Sequence, residues 1–129
     1  MKHIAIGENH LYSKAYAKGN KFVGRYVIVY ILKDLKASRI MRSHPEKKYI
    51  NRIGLTVSKK LGGAVIRNRV KRILREGLRQ TEKENNLKKG YLMVLVARGS
   101  AVEASSLDIR EDLTRAVKAL NFVNDEKNT

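Results

Sequence analysis

The chain has 129 residues, of which 43% are hydrophobic, and it contains no cysteine. This size and composition predict one folded domain and exclude wholesale disorder, while the lack of cysteine excludes disulfides and thiolate metal sites. The 28 lysines and arginines outnumber the 12 acidic residues, which gives a formal net charge of +16. Binding to a polyanion would relieve the self-repulsion of such a chain.

The first half of the chain predicts one helix and two strands. Apolar residues in Glu8–Lys18 recur at helical spacing, and Gly19 follows as a helix end. Phe22–Leu32 is rich in Val, Ile and Tyr and largely apolar on both faces, which predicts a central strand covered at least partly on both sides. Residues 33–51 are polar and basic and predict a long loop, after which Arg52–Lys60 alternates as a second strand.

The second half predicts two amphipathic helices around a buried strand. Apolar residues between Val70 and Leu78 recur at helical spacing in a helix that extends to Asn85. The apolar run Tyr91–Ala97 predicts a buried strand. An S-x-x-D capping pattern at residues 105–108 then begins the last helix.

Positive charge is concentrated in the middle of the chain. Residues 52–79 contain nine basic residues and a single acid, Glu76, whereas residues 101–129 contain four basic and six acidic residues. An ordinary solvated helix face mixes charges through Glu–Lys pairs, and only Glu76 is available for that here. The distribution therefore favours a folded basic surface that binds nucleic acid.

No set of catalytic residues is evident. The three histidines lack a carboxylate partner at useful helical spacing, and the acidic pairs Glu82/Glu84 and Glu111/Asp112 lie on strongly polar segments. A self-sufficient nuclease would need a nucleophile, a base or a metal cage. The pattern favours a binding protein, and the lack of a signal core or a membrane-length apolar run predicts a cytoplasmic one.

Three tyrosines offer a second kind of RNA contact. Tyr12 and Tyr16 lie one helical turn apart, and Tyr30 lies late on the first predicted strand. Tyrosine rings stack on unpaired bases. The alternative is that they are core residues with their hydroxyls at the rim, and the residues alone favour that interpretation.

Two neighbouring sequence segments resemble those of a known family. The strand run Gly54-Leu55-Thr56-Val57-Ser58-Lys59-Lys60 is followed by the helical run Arg67-Asn68-Arg69-Val70-Lys71-Arg72. Together they closely resemble the protein subunit of bacterial ribonuclease P, and the likeness extends over about residues 8–120.

The resemblance implies a fold. It implies one α+β domain with the order α-β-β-β-α-β-α around a four-stranded sheet, a ribosomal-protein-S5-domain-2-like arrangement. The helix Arg67–Arg79 would join two parallel strands by a left-handed crossover, against the strong right-handed preference. The sequence shows three clear strands, which leaves residues 33–51 as the place for a fourth. One RNA-binding domain would span residues 1–129, with fraying at 1–7 and 124–129.

The resemblance also implies partners and site residues. The partners would be the ribonuclease P RNA subunit and precursor tRNA, with no membrane and no protein partner required. Cleavage would use Mg²⁺ held mainly by the RNA, so no catalytic or metal-binding residue is expected in the protein. The residues implied to contact the RNA subunit are Arg67, Asn68, Arg69, Lys71, Arg72 and Arg75. Those implied to bind the single-stranded 5′ leader of precursor tRNA are Tyr12, Tyr16, Tyr30, Lys59 and Lys60.

The main alternative is a ribosomal or general single-stranded-RNA-binding protein with no processing role. Charge and tyrosines fit both hypotheses equally well. The arginine-rich run placed directly after the Val57-Ser58-Lys59-Lys60 strand end favours the ribonuclease P subunit, since a general RNA-binding protein does not need it.

Overall fold

The computed structural model describes residues 4–36, 39, 42 and 51–123, and within them three α-helices pack on one mixed sheet. The strands are β1 (Ile4–Ala5), β2 (Asn20–Val23), β3 (Val27–Lys33), β4 (Arg52–Thr56) and β5 (Tyr91–Ala97). The α-helices are α1 (Asn9–Lys18), α2 (Ala64–Glu84) and α3 (Ser106–Ala119), and short 3₁₀ helices span Lys59–Leu61 and Gly99–Glu103.

The strand order across the sheet is β1-β4-β5-β3-β2. β4 and β5 are parallel and are connected through α2, whereas β3 pairs antiparallel with both β5 and β2. Apart from the two-residue β1, the order of elements is the predicted α-β-β-β-α-β-α, and the four-stranded α+β fold is confirmed. The left-handedness of the crossover stays a prediction.

Helices cover both faces of the sheet. α2 and α3 bury the larger apolar cluster, which includes Val29, Leu74 and Leu113. α1 covers the other face with a smaller cluster, in which Ala15 packs near Val94 of β5. β3 contributes to both clusters, as its apolar sequence on both faces predicts.

The prediction of one strand over Phe22–Leu32 is wrong, because a turn divides it into β2 and β3. The carboxylate of Asp112 accepts hydrogen bonds from the backbone N–H groups of Tyr26 (2.6 Å) and Val27 (3.1 Å) and stabilises the turn. A Cβ atom on Gly24 would lie 2.6 Å from Asp112 Oδ2, so this close approach needs glycine. β2 therefore supplies the fourth strand beside β3, β4 and β5, whereas most of residues 33–51, where the sequence analysis placed it, lies outside the described residues.

The predicted second strand, Arg52–Lys60, is shorter than expected and ends at Thr56. Beyond it, the Ser58 hydroxyl accepts a hydrogen bond from the Lys60 N–H at 3.1 Å and begins a 3₁₀ helix. Of the predicted loop 33–51, Lys33 belongs to β3, and residues 37, 38, 40, 41 and 43–50 lie outside the described residues.

Residues 4–6, part of the segment 1–7 that the sequence predicts to be frayed, lie against the sheet, and the fraying itself stays a prediction. β1 pairs with the start of β4, and the Ile6 side chain is buried beneath α1. Residues 1–3 and 124–129, the remainder of the predicted frayed ends, lie outside the described residues.

Candidate RNA interface

The basic surface is built on α2. Before the helix, Gly62 has a φ of 148°, a conformation that favours glycine and redirects the chain after the 3₁₀ helix. The buried stripe of α2 is the one predicted from its spacing, and Leu74 at its centre is fully buried. The residues opposite these apolar positions therefore face solvent, and they include the exposed Arg72, Arg75 and Arg79.

A stripe of exposed polar and basic side chains follows the outer face of α2. Its members recur every three or four residues and so share one face: Asn68, Arg72, Arg75, Arg79 and Lys83. We call this set the basic stripe. Glu76 lies beside the basic stripe and forms an ion pair and hydrogen bonds with Arg79. It also accepts a hydrogen bond from the side-chain amide of Gln80. These bonds hold the pKa of Glu76 below its usual range. Within the described part of the chain, Arg72 and Arg75 form no ion pair.

Two of the predicted RNA-binding arginines also hold the protein backbone. Arg67 Nε donates a hydrogen bond to the Gly62 carbonyl at 3.2 Å. Arg69 donates from Nη1 to the Val102 carbonyl (2.8 Å) and from Nη2 to the Ala104 carbonyl (3.0 Å). Arg69 therefore ties α2 to the segment after β5. The sequence pattern could not separate this role from RNA binding, because the carbonyl partners are more than thirty residues away.

The three tyrosines form one cluster between α1 and the sheet. The ring centroids of Tyr16 and Tyr30 are 5.0 Å apart with an interplanar angle of 65°, and those of Tyr12 and Tyr16 are 6.5 Å apart. The Tyr16 hydroxyl lies 2.8 Å from Thr56 Oγ1 on β4. Tyr16 is 41% exposed, whereas Tyr12 and Tyr30 are half-buried. Burial, and the nearby Tyr16, raise the pKa of Tyr12, so its ring remains uncharged near neutral pH.

An open row of side chains crosses the sheet beside Tyr16. The strand registers place Thr56 opposite Val96, Val96 opposite Ile28, and Ile28 opposite Val23. Directly paired residues face the same side of a sheet, so the row lies on the α1 face. Thr56, Val96 and Ile28 are half-buried, and Val23 is 53% exposed. We call the tyrosine cluster and this row the tyrosine groove.

Sequence reasoning missed the apolar floor of the groove. Val23, Ile28 and Val96 occur in apolar strand runs and look like core residues there. Only the pairing of four strands shows that they share a row that α1 leaves open. Lys59 and Lys60 are exposed in the 3₁₀ helix that follows β4, three and four residues after Thr56.

A sequence model of the Ribonuclease P family matches residues 1–121. The chain belongs to the ribonuclease P protein family. It is 36% identical to the ribonuclease P protein component of Clostridium botulinum over 124 residues, which cover 96% of this chain and 100% of that protein. It is also 36% identical to the component from Clostridium acetobutylicum over 129 residues, with 99% and 98% coverage. The family resemblance of the two sequence runs is confirmed.

Solved structures of ribonuclease P proteins have the same fold. The Staphylococcus aureus protein matches with a TM-score of 0.69 and 27% identity, covering 95% of this chain and 100% of that chain. The Thermotoga maritima protein matches with a TM-score of 0.67, covering 89% of this chain and 96% of that chain. At 22% identity the second comparison bears on the fold alone.

In this member of the ribonuclease P family, α2 carries the first predicted set of RNA-binding residues on the side of the larger core, whereas Tyr12, Tyr16 and Tyr30 of the second set lie on the opposite, α1 face of the sheet. Lys59 and Lys60 lie in the 3₁₀ helix that connects β4 to α2. Asn68, Arg72 and Arg75 are exposed, whereas Arg67, Arg69 and Lys71 are half-buried. Their contacts with RNA stay predictions.

Among residues 4–36, 39, 42 and 51–123, no three His, Asp or Glu side chains are grouped so that they could hold a metal ion. None of the helices in these residues is long and apolar enough to cross a membrane. His10 is exposed on α1, and His3 and His44 lie outside the described residues.

Proposed function

We propose that this chain is the protein subunit of a ribonucleoprotein ribonuclease, in which it binds the catalytic RNA and the single-stranded 5′ leader of precursor tRNA. Membership of the ribonuclease P family supports the ribonucleoprotein and the tRNA-processing role. The observation that carries the finer assignment is the separation of the basic stripe and the tyrosine groove by one sheet. Because neither surface blocks the other, both RNAs can be bound at once.

The basic stripe suits a structured RNA. Arg72 and Arg75 present exposed guanidinium forks, and such forks hold phosphate oxygens with two parallel hydrogen bonds. Asn68 can donate to and accept from a base edge or a ribose hydroxyl. Phosphate contacts of this kind release counterions, so we expect affinity for the RNA subunit to fall steeply with salt.

The tyrosine groove suits a single strand. Tyr16 is the most exposed ring of the cluster, and an unpaired base stacked on a ring gains about 1–3 kcal/mol. Half-buried Tyr12 and Tyr30 hold the Tyr16 ring in place, and the neutral Tyr12 hydroxyl adds no charge that would repel a phosphate. Stacking tolerates any base, so the groove would accept leaders of different sequence. Lys59 and Lys60 would hold leader phosphates.

The bond-breaking chemistry is assigned to the RNA. The described residues of the protein offer no cluster of carboxylates or histidines for Mg²⁺, and we place this ion mainly on the RNA subunit, where it would supply phosphodiester hydrolysis. The protein screens phosphate repulsion, orients the leader and binds the assembled RNAs more tightly than either alone. Because the protein binds the assembled RNAs more tightly than either RNA alone, its binding shifts the equilibrium toward the compact complex loaded with Mg²⁺.

Reconstitution tests this function. A precursor tRNA labelled at its 5′ end is incubated with Mg²⁺ and with protein alone, the ribonuclease P RNA alone, or both. We expect correct release of the leader to be accelerated by the pair over the RNA alone, and no cleavage by protein freed of RNA. Cleavage at the right position by the protein alone would overturn the proposal. Failure to accelerate the RNA would favour the general RNA-binding alternative.

A further inference from the structure

A buried ion-pair cluster lies at the start of α1, and none of its members belongs to either predicted set of RNA-binding residues. Arg52, the first residue of β4, donates from Nε to Asp34 Oδ2 at 2.7 Å and from Nη2 to Asp34 Oδ1 at 2.9 Å. Its Nη1 donates to Glu8 Oε1 at 3.0 Å. The side chains of Arg52 and Asp34 are only 6% and 4% exposed, and that of Glu8 is 37% exposed.

Burying two charges is unfavourable unless they are well paired, and the forked geometry between Arg52 and Asp34 satisfies that condition. Burial alone would raise the pKa of Asp34, but the hydrogen bonds from Arg52 and from the Lys36 backbone N–H keep it below its usual range. Asp34 is therefore ionised at neutral pH, and the guanidinium retains one free arm for Glu8.

Glu8 binds this third guanidinium nitrogen and does not cap its own helix. It occupies the N-cap position of α1, yet its side chain makes no capping hydrogen bond to the helix backbone. Its carboxylate contacts Arg52 instead. A side chain at the N-cap position ordinarily accepts a hydrogen bond from a free backbone N–H of the helix. Glu8 instead binds Arg52 on β4 and so links the start of α1 to the sheet.

The link matters because α1 is attached to the sheet by few buried residues. Of its ten residues only Leu11 and Ala15 are buried. The cluster joins the residue before α1, the residue after β3 and the first residue of β4. These are the same helix and strands that carry Tyr16, Tyr30 and the open row.

We propose that Arg52 is a positioning residue for the tyrosine groove, which holds α1 at a fixed place on the sheet through Glu8 and Asp34. The inference rests on the proposed leader-binding function. Arg52 does not touch the leader; it fixes the helix whose Tyr16 ring does.

The test uses Glu8→Gln, which weakens the contact of Arg52 with α1 together with the longer pair between Glu8 and Lys36 (3.7 Å), and leaves the buried pair of Arg52 and Asp34 intact. The matched control is Glu84→Gln, which alters an exposed pair with Arg110 at 2.9 Å on the opposite side of the sheet. Affinities of the reconstituted RNA–protein complex are measured for precursor and for mature tRNA. We expect Glu8→Gln to weaken precursor binding by about twofold to fivefold, the effect of one partly exposed ion pair. Mature tRNA binding and the control should not change.

A double substitution separates positioning from general stability. In a Tyr16→Ala background, Glu8→Gln should have no further effect on precursor affinity, because the ring that it positions is gone. If the two substitutions reduce precursor affinity additively, the positioning role is wrong. It is also wrong if Glu8→Gln causes no loss of precursor affinity while Tyr16→Ala weakens precursor binding selectively. If Tyr16→Ala weakens precursor and mature tRNA equally, the leader site itself is wrong.

Discussion

The ring of Tyr12 covers Gly54 so closely that a Cβ atom on Gly54 would lie 2.6 Å from Tyr12 Cε1. Gly54 lies in the middle of β4 and in the same cross-strand row as Val94 and Tyr30. The missing side chain lets α1 approach the sheet and places its two tyrosines beside Tyr30. A glycine in a strand often marks such a close approach.

Gly54→Ala should therefore disturb the groove directly. The added methyl group displaces the Tyr12 ring, and overpacking of this kind costs about 1–3 kcal/mol of stability. Denaturant unfolding measures that loss, and precursor tRNA affinity of the reconstituted complex should fall with it. Gly99→Ala is the control, because a Cβ atom there meets nothing within 4 Å. Equal behaviour of the two variants would contradict the packing that we describe.

The basic stripe predicts a salt signature. Arg72→Ala or Arg75→Ala should weaken binding to the ribonuclease P RNA and leave the unfolding free energy unchanged, since both side chains are exposed and unpaired within the described chain. Each lost phosphate contact should reduce the log–log salt slope by about 0.7–0.9. Lys118→Ala is the control, because this exposed lysine lies on α3, where charges are balanced. An unchanged slope for the arginine variants would argue against the stripe.

Arg69→Ala should behave differently from those two variants. Its guanidinium holds the carbonyls of Val102 and Ala104, and removing it leaves both without this donor. We expect a loss of stability of about 1–3 kcal/mol from these hydrogen bonds, detected as a lower denaturation midpoint. A midpoint equal to that of Arg72→Ala would show that the bonds contribute nothing to folding.

Glu76 is the single acid among residues 52–79, and it neutralises part of the stripe. Glu76→Gln should release Arg79 from its ion pair and raise affinity for the RNA subunit at low salt. The salt slope should become steeper, since an additional arginine can contact phosphate. Binding titrations at several salt concentrations measure both quantities. Weaker binding by this variant would mean that Glu76 orders Arg79 for the contact.

The lowered pKa of Asp34 predicts a dependence of stability on pH. Its stabilising contribution is complete above the unfolded-state pKa of about 4 and is lost as the pH falls through the lower folded-state value. Asp34→Asn should be less stable at neutral pH and lose less stability on acidification than the unsubstituted protein. Unfolding free energies from pH 7 downward measure this. Parallel curves for the two proteins would contradict the assignment.

Local features of the fold could be predicted from local sequence. The Ser105–Asp108 pattern forms a capping box at the start of α3, and the apolar spacing of α2 matches its buried stripe. The β2–β3 turn was missed because Asp112, which stabilises it, is over eighty residues away. The groove floor and the backbone contacts of Arg69 depend in the same way on strand register and distant carbonyls. Patterns within one segment do not encode such partners.

We expect the tyrosine groove to bind the leader and not the mature tRNA, and comparing the affinities of Tyr16→Ala for precursor and for mature tRNA tests this. Tyr16 is 41% exposed, so its removal should preserve the fold, which circular dichroism checks. Tyr16→Phe is the control, since it keeps the stacking ring and loses only the hydrogen bond to Thr56. We predict that Tyr16→Ala weakens precursor tRNA binding by about 1–3 kcal/mol and leaves mature tRNA binding unchanged, while Tyr16→Phe is nearly silent. Equal losses for precursor and mature tRNA would contradict the account.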